Sequence, residues 1–324
     1  MDWPELKARL LAGGTARLSG APATPYRSSS TAGPGAGTGG SVFFSDGRGR
    51  VRLEIDQNSP LEIVHLGAGQ VIVKDRDLEL RGILEPVALH CPRQAYITVS
   101  SGCIYRCRYC EVPAIHAGRK TPEAIEVMVE RVRDRIDSIS LTSGVLESID
   151  AEEEYVIRVV GRLQRFGLPI GVSIFPGKDT AWRLHAAGVS EVKFNVEAAT
   201  EELFSTMCPG LSYDSVWNAL TQSVDRFGRN HVFSNLIIGL GESDEEAECC
   251  ITDLCAIGVI PILRPLSPSG ALSEFSRPSA ERLFRLFACH SDALTASGLD
   301  PRCALTMCLE CTGCDLVPGR DGAV

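Results

Sequence analysis

Three cysteines within eight residues are the part of this sequence best suited to chemistry. Cys103, Cys107 and Cys110 follow a C-x3-C-x2-C spacing just after the β-branched and aromatic run 96–100. Three thiolates this close together can hold three corners of an iron–sulfur cube and leave the fourth iron without a protein ligand. An open metal position distinguishes a catalytic site from a closed structural one, as it does for zinc. The spacing therefore predicts a catalytic cluster.

The residues around these cysteines disfavour two alternatives. Tyr105, Arg106 and Arg108 make the loop polar, whereas structural cysteines are usually buried as small hydrophobes. Zinc motifs usually pair two C-x2-4-C knuckles, and a redox carrier closes its clusters with four ligands. A zinc-binding interaction protein and a two-cluster electron carrier remain the alternatives.

With the aromatic Tyr109 directly before its last cysteine, this motif resembles the signature of radical S-adenosylmethionine (SAM) enzymes. The resemblance implies that Cys103, Cys107 and Cys110 hold a catalytic [4Fe–4S] cluster, with Tyr109 beside the cofactor. SAM would chelate the fourth iron. Its reductive cleavage would give a 5′-deoxyadenosyl radical that abstracts hydrogen from a substrate. An electron donor such as a ferredoxin or flavodoxin would supply the reducing electron.

A second cysteine cluster lies near the end of the chain, with the spacing C-x4-C-x2-C-x2-C. Four thiolates can ligate one metal centre completely, either a second [4Fe–4S] cluster or a structural zinc ion. The cluster is favoured over zinc, because a protein with a first iron–sulfur cluster must already be supplied with iron and sulfide. The predicted ligands are Cys303, Cys308, Cys311 and Cys314.

The resemblance is to the subgroup of biotin and lipoyl synthases, in which a second cluster donates sulfur. It implies a sulfurtransferase in cofactor biosynthesis, acting on a small cofactor precursor or a lipoyl-type acyl group on a carrier protein. Residues 27–30, Arg-Ser-Ser-Ser, resemble the Arg-Ser-Ser motif of lipoyl synthases, although ordinary linker composition explains them equally simply. Cys91 and Cys208 fall in predicted turns and are not expected to be ligands.

From residue 95 onward, predicted strands alternate with predicted helices. This alternation predicts a parallel sheet in an α/β fold, and the resemblance implies a partial (β/α)6 TIM-type barrel with chemistry at the carboxyl ends of the strands. The predicted strands are 96–100, 138–142, 169–175, 191–196, 232–238 and 259–263. The predicted helices are 121–136, 152–166, 179–187, 200–228 in one or two pieces, 244–256 and 279–298.

Polar residues and glycines follow several of these strands. By the resemblance, they would contact SAM: glycines allow close backbone approach, and an arginine can pair with a carboxylate. Ordinary βα turns and solvated side chains are the alternatives. The predicted cofactor-binding residues, with Tyr109, are Ser143, Gly144, Asn195, Glu197, Gly239, Gly241 and Arg264.

The region before the barrel differs in pattern. Residues 3–12 predict a helix, residues 21–40 a linker rich in Gly, Ser and Pro, and residues 41–86 a small antiparallel β unit without chemistry of its own. The sequence thus divides into a helix and linker (1–40), a β-rich accessory unit (41–90), the radical SAM core (91–298) and a cysteine-rich tail (299–324).

Composition restricts the partners. A net charge of −9 over 324 residues argues against unspecific binding to nucleic acid. The sequence shows no secretion signal and no apolar run of the roughly 18 residues that a membrane span needs. Its 13 cysteines therefore predict metal ligands and free thiols in the reducing cytoplasm rather than disulfides.

Overall fold

A computed structural model describes residues 1–28, 40–75, 78–114 and 118–322. The strands are β1 Thr15–Gly20, β2 Ser41–Ser45, β3 Arg50–Ile55, β4 Glu62–Gly67, β5 Gln70–Asp75, β6 Leu78–Leu84, β7 His90–Cys91, β8 Gln94–Thr98, β9 Ser100–Ser101, β10 Gly118–Arg119, β11 Ser138–Thr142, β12 Ile170–Ser173, β13 Glu191–Lys193, β14 Val232–Ile238 and β15 Ile260–Pro265. The helices are α1 Trp3–Gly13, α2 Pro122–Glu130, α3 Ile149–Leu163, α4 Thr180–Ala186, α5 Glu201–Met207, α6 Tyr213–Phe227, α7 Asp244–Ala256, α8 Ala280–Ser297 and α9 Met307–Cys311.

The larger sheet is a curled half-barrel. Its strand order is β15-β14-β13-β12-β11-β8-β7, in which β8 and β11 to β15 are parallel and the short β7 runs antiparallel to β8 at one edge. Helices connect successive parallel strands; α6 packs against β13 and β14, and α7 packs against β15. The predicted partial (β/α)6 barrel is confirmed.

Strand alternation gives the half-barrel a polar inner face and an apolar outer face. In β11, Ile139 and Leu141 are fully buried, while Thr142 faces the interior cavity. In β13, Val192 is buried and its neighbour Lys193 lines that cavity. Because successive side chains of a strand point to opposite sides, one short strand serves both the core and the site.

Several element boundaries differ from prediction. The first strand of the repeat begins at Gln94 and ends at Thr98, and the fourth ends at Lys193. Helix α3 begins at Ile149 rather than at the predicted residue 152, and its cap is Ser148, whose hydroxyl accepts a hydrogen bond from the Ala151 amide at 3.2 Å. Polar residues suited to capping occur close together here, so sequence alone did not identify the one that caps.

The accessory unit is a closed six-stranded barrel with strand order β1-β3-β2-β6-β5-β4. Strand β1 closes it by pairing in parallel with both β3 and β4. The sequence analysis missed β1 because residues 15–20 are polar and short and bury only Ala16 completely. The barrel thus takes one strand from the segment predicted as helix and linker. Of that linker, Ser29 and Ser30 lie outside the described residues, while Ser28 pairs with Ser41.

The tail, residues 299–322, lies across the amino ends of the parallel strands, opposite the Cys103–Cys110 loop. Gln94, the first residue of β8, binds the backbone of Met307 through both side-chain atoms, at 2.8 and 3.1 Å. Thr306 Oγ1 donates to Glu191, the first residue of β13, at 2.6 Å. A Cβ added to Gly171 would lie 2.2 Å from Thr306 Oγ1, so this approach requires glycine.

The tail is also bound to the first helix. Lys7 Nζ lies 2.7 Å from Asp321 Oδ2, and both side chains are buried. Trp3 Nε1 donates to Asp321 Oδ1 at 2.8 Å, and Lys7 also donates to the Thr312 carbonyl. We call Trp3, Lys7, Thr312 and Asp321 the terminal clasp.

The protonation of His231, beside the tail, is expected to make the stability of the protein depend on pH. His231 Nδ1 lies 3.0 Å from Glu191 Oε1, and this hydrogen bond raises the pKa of His231 above 6.5. Since the folded state favours the protonated ring, the stabilisation is complete below pH 6.5 and is lost as the pH rises through the raised pKa. The ring is 33% exposed, so we expect on the order of 0.5 kcal/mol.

Urea unfolding of wild type and His231→Gln at pH values below and above this transition tests the effect. The wild type should lose more stability than the variant as the pH rises. An equal loss in both proteins would contradict the assignment to His231.

Candidate active site

One cavity of about 270 Å³ occupies the interior of the half-barrel. All three cysteines of the first motif line it, and so do three cysteines of the tail. The six are Cys103, Cys107, Cys110, Cys308, Cys311 and Cys314. The first three follow the carboxyl end of β8, whereas the tail binds the amino ends of the strands. The cavity therefore separates two groups of thiols along the strand direction.

The Cys103–Cys110 loop is fixed by backbone contacts at the carboxyl end of the sheet. Ile104 N donates to the Val145 carbonyl at 2.7 Å, and Val145 N donates to Cys103 Sγ at 3.4 Å. A Cβ on Gly144 would lie 2.2 Å from the Gly102 carbonyl oxygen. Glycine is therefore required for the turn after β11 to pack against this loop.

A cysteine that the sequence analysis set aside contacts the first motif. Cys208 is fully buried, lines the cavity and lies 3.5 Å from the hydroxyl of Tyr109. The hydrogen bond between Cys208 and Cys107 lowers the pKa of Cys107, whereas burial raises the pKa of Cys110 to about 12. Cys208 therefore supports a neighbouring thiolate. Only its place in a Cys-Pro-Gly turn could have drawn attention to it.

Ser143 and Gly144 line the cavity, although the Ser143 side chain is engaged elsewhere. Its hydroxyl donates to Glu152 Oε1 at 2.5 Å and accepts from the Ser100 amide at 3.0 Å. Arg119 Nη2 balances the buried Glu152 carboxylate at 2.7 Å. This network fixes the turn and leaves its backbone facing the cavity.

Asn195 and Glu197 face the cavity together, as predicted from their alternation. Asn195 Nδ2 donates to Glu197 Oε1 at 3.0 Å, and burial raises the pKa of Glu197. Glu197 has φ 57°, a conformation that a non-glycine residue adopts only when its surroundings enforce it. Beside them, the buried Asn235 Oδ1 has no hydrogen-bond partner among the described residues. Asn235 was missed, although an amide within the apolar run 232–238 was a usable signal.

Gly239 and Gly241 do not line the cavity. Both have positive φ, at 111° and 119°, in a turn whose amides are bound by the Glu242 carboxylate at 2.7 and 2.9 Å. Arg282 pairs with Glu242 at 2.9 Å. The turn is ordered by its own carboxylate, and a SAM contact for these glycines stays a prediction.

The tail cysteines are surrounded by cations. Lys193 Nζ lies 3.3 Å and Arg264 Nη2 3.2 Å from Cys308 Sγ, while Arg52 Nη1 lies 3.9 Å from Cys314 Sγ. Burial lowers the pKa of Lys193, but the interactions with Cys308 and Tyr96 together raise it above its usual value, so the amine stays charged. Arg264, predicted to bind a carboxylate of SAM or substrate, lines the cavity and lies 3.6 Å from Asp315 in the tail.

The accessory barrel forms part of the wall around this second group. Arg52 N, on β3, donates to the Gly313 carbonyl at 2.6 Å, and a Cβ on Gly313 would lie 2.4 Å from Phe43 Cε1, on β2. Arg52 itself lines the cavity. The β unit, predicted to have no chemistry of its own, therefore contributes a side chain to the cavity wall. Cys303, in contrast, is exposed on a 3₁₀ turn and does not line the cavity.

The cysteines that line the cavity are all free thiols, the side chains that ligate iron–sulfur clusters. Each thiolate of a cubane binds a different iron, so thiols along one cavity wall can serve as cluster ligands. Over the described ranges, no group of three or more His, Cys, Asp or Glu side chains is placed to bind one metal ion.

Comparison with known proteins agrees with this geometry. Residues 97–252 match the family model of the Radical SAM superfamily. The fold is similar to methylornithine synthase PylB (17% identity, TM-score 0.52, 64% of this chain and 70% of that one). It is also similar to SuiB of Streptococcus suis bound to S-adenosylmethionine (13%, 0.53, 64% and 48%). The Cys103–Cys110 loop lies within the matched segment, and residues 97–252 are a Radical SAM domain.

Among individual proteins, the chain is similar to lipoyl synthases. It is 27% identical to that of Leptospira biflexa serovar Patoc over 179 residues, covering 51% of this chain and 55% of the relative. It is 26% identical to that of Nitrosospira multiformis over 214 residues, covering 58% and 66%. The chain thus spans less than two thirds of these relatives. In the described part of the chain, no helix combines the length and apolar character that crossing a bilayer requires.

Proposed function

We propose that this protein is a radical SAM enzyme with a second iron–sulfur cluster in its tail, and that it inserts sulfur during cofactor biosynthesis. Cys103, Cys107 and Cys110 hold the catalytic cluster, and the tail cysteines hold the other. The observation that carries the proposal is that both groups of thiols line one cavity. A substrate in that cavity would be within reach of both centres.

The catalytic cluster with bound SAM supplies a 5′-deoxyadenosyl radical that removes a hydrogen atom from the substrate. The chain's own residues prepare the site for it. The Val145 amide donates to Cys103 Sγ, Cys208 supports Cys107, and the turn at Gly144 presents its backbone to the cavity. Asn195 and Glu197 offer polar contacts that suit the nucleoside of SAM.

Sulfur insertion is supported by the similarity to lipoyl synthases and by the cations around the tail cysteines. Four thiolates outweigh the positive charge of a [4Fe–4S] core, so the centre is anionic, and Lys193, Arg264 and Arg52 offset that charge. Zinc in a structural clasp is the alternative. The small cavity suits a small cofactor precursor or a lipoyl-type acyl group presented by a carrier protein, with a ferredoxin or flavodoxin as electron donor.

Metal analysis of wild type and Cys308→Ala/Cys311→Ala after anaerobic reconstitution tests the proposal. The variant should lose about four irons and still cleave SAM to 5′-deoxyadenosine under reduction. Cys249→Ala/Cys289→Ala, on helices α7 and α8, is the matched control and should lose none. Unchanged iron with loss of zinc would make the tail a structural clasp.

Labelled sulfide tests the insertion step. After reconstitution with heavy-isotope sulfide, a protein carrying the acyl precursor of the lipoyl group is offered as substrate, alongside free small precursors. Mass spectrometry should find labelled sulfur in the product with wild type and none with Cys308→Ala/Cys311→Ala. SAM cleavage without labelled product from any of them would refute sulfur insertion into these substrates.

A further inference from the structure

The geometry points to Cys91, rather than Cys303, as the fourth thiolate of the tail centre, and we propose the ligand set Cys91, Cys308, Cys311 and Cys314. This inference rests on the proposed function only in requiring that the tail hold a metal centre. It changes which parts of the chain build that centre, because Cys91 lies on the edge strand β7 of the half-barrel, far from the tail in sequence.

Strand pairing brings Cys91 to the tail. Cys91 pairs with Gln94 in the β7–β8 ladder. The Gln94 side chain in turn binds both backbone groups of Met307, the first residue of the helix that carries Cys308 and Cys311. One residue of the sheet therefore connects Cys91 to the cysteine helix.

Cys91 and Cys311 are packed together. With Phe43 they form a separate buried cluster, in which Cys91 is 0% and Cys311 is 8% exposed. Cys308 lies on the same short helix as Cys311, and Cys314 follows three residues after Cys311. Two buried thiols packed in one cluster, with two further thiols in the same short segment, are the donors that a metal centre needs.

Cys303 is kept away by the residues that follow it. Leu305 N and Thr306 Oγ1 both donate to the buried Glu191 carboxylate, at 2.9 and 2.6 Å, and Met307 N donates to Gln94 Oε1. These contacts fix the chain between Cys303 and Cys308 against the sheet. For Cys303 to reach the other three cysteines, they would have to break and leave Glu191 with fewer partners in the protein interior.

The spacing supports the same set. Without Cys303, the tail is a C-x2-C-x2-C run, and the added thiol is the Cys of a Cys-Pro pair, Cys91-Pro92. Two-cluster ferredoxins use this arrangement: three cysteines of a C-x2-C-x2-C run bind one cluster, whose fourth ligand is a distant cysteine followed by proline. The sequence analysis took four neighbouring cysteines as the set and so overlooked the remote one.

Metal content in a protein without the first cluster tests the assignment. The background variant is Cys103→Ala/Cys107→Ala/Cys110→Ala, which leaves the tail centre as the remaining site. Into it are placed, one at a time, Cys91→Ser, Cys303→Ser and, as a buried-thiol control on helix α7, Cys255→Ser. Iron, sulfide and zinc are measured after anaerobic reconstitution, with electron paramagnetic resonance of the reduced samples and circular dichroism to verify folding.

We expect about four irons in the background variant, the same content and signal with Cys303→Ser and Cys255→Ser, and loss or an altered signal with Cys91→Ser alone. Loss with Cys303→Ser and retention with Cys91→Ser would overturn the inference and leave the proposed function intact. A background variant with no metal would overturn both. Zinc that is lost only with Cys91→Ser would support the ligand set and refute the iron–sulfur assignment.

Cys91→Ala in the otherwise wild-type chain gives a second measurement if Cys91→Ser does not fold in the background variant. Because the first motif is intact in this variant, SAM cleavage to 5′-deoxyadenosine verifies that the protein is folded. We expect loss of the tail iron or an altered signal with Cys91→Ala and no change with Cys303→Ala. Unchanged iron and an unchanged signal in a Cys91→Ala variant that cleaves SAM would contradict the role of Cys91 as a ligand.

Discussion

Cys107→Ala/Cys110→Ala is expected to lower formation of 5′-deoxyadenosine at least about 100-fold. Loss of a residue that only supports a metal ligand already lowers activity up to about 100-fold, and this variant loses two ligands. The variant leaves Cys103 as the single thiolate of the first motif. One ligand cannot retain a cubane that three hold, and the open iron that binds SAM is lost with it. Chromatography and mass spectrometry of reaction mixtures with SAM and a reductant measure the effect.

The same variant separates the two centres. Because the tail cysteines lie at the other end of the strands, it should keep the iron of the tail while losing that of the first motif. Cys249→Ala/Cys250→Ala on helix α7 removes two neighbouring thiols outside the cavity and should retain SAM cleavage. Undiminished cleavage in Cys107→Ala/Cys110→Ala would show that these cysteines do not hold the catalytic cluster.

Breaking the terminal clasp is expected to destabilise the protein strongly. Lys7 and Asp321 are 0% and 1% exposed, so Lys7→Met or Asp321→Leu leaves a buried charge without its partner. Such a loss costs about 3–5 kcal/mol. Urea unfolding followed by circular dichroism measures the free energy of unfolding, and the tail iron should become easier to remove by chelation.

The double variant Lys7→Met/Asp321→Leu distinguishes the ion pair from packing. The double variant has no buried charge without a partner. Its free energy of unfolding should therefore fall by clearly less than the sum of the decreases in the two single variants. Recovery should be incomplete, because Trp3 Nε1 and Val317 N lose their acceptor. Additive losses would mean that the two charges do not stabilise each other.

Much of the fold was predictable because the half-barrel is a local pattern. The strand at 138–142 and the helix at 244–256 were predicted with the bounds that the structure has. Each depends on periodicity and caps within about 15 residues. Strand β1 was not predictable, because its place depends on pairing with β3 and β4 rather than on its own composition.

The candidate site divides in the same way. Asn195 and Glu197 were predicted to share a face from their alternation, a local property of the sequence. Both line the cavity, although β13 ends at Lys193 and Glu197 has a positive φ. Arg264 was assigned to a carboxylate because nothing near it in sequence indicates that Cys308, 44 residues later, folds back beneath it. Cys91 and Cys208 were set aside for the same reason, since tertiary packing brings each beside another thiol.

The terminal clasp also has a consequence for the order in which the protein folds. Trp3 and Asp321 are 318 positions apart, and Lys7 and Asp321 are 314 apart. Contacts between residues so far apart in sequence carry a large loop-closure entropy unless the structure between them has already formed. We therefore expect the tail to dock after the accessory barrel and the half-barrel have formed. The metal centre proposed for Cys308, Cys311 and Cys314 would then be completed late in folding, and the first cluster could be loaded before it.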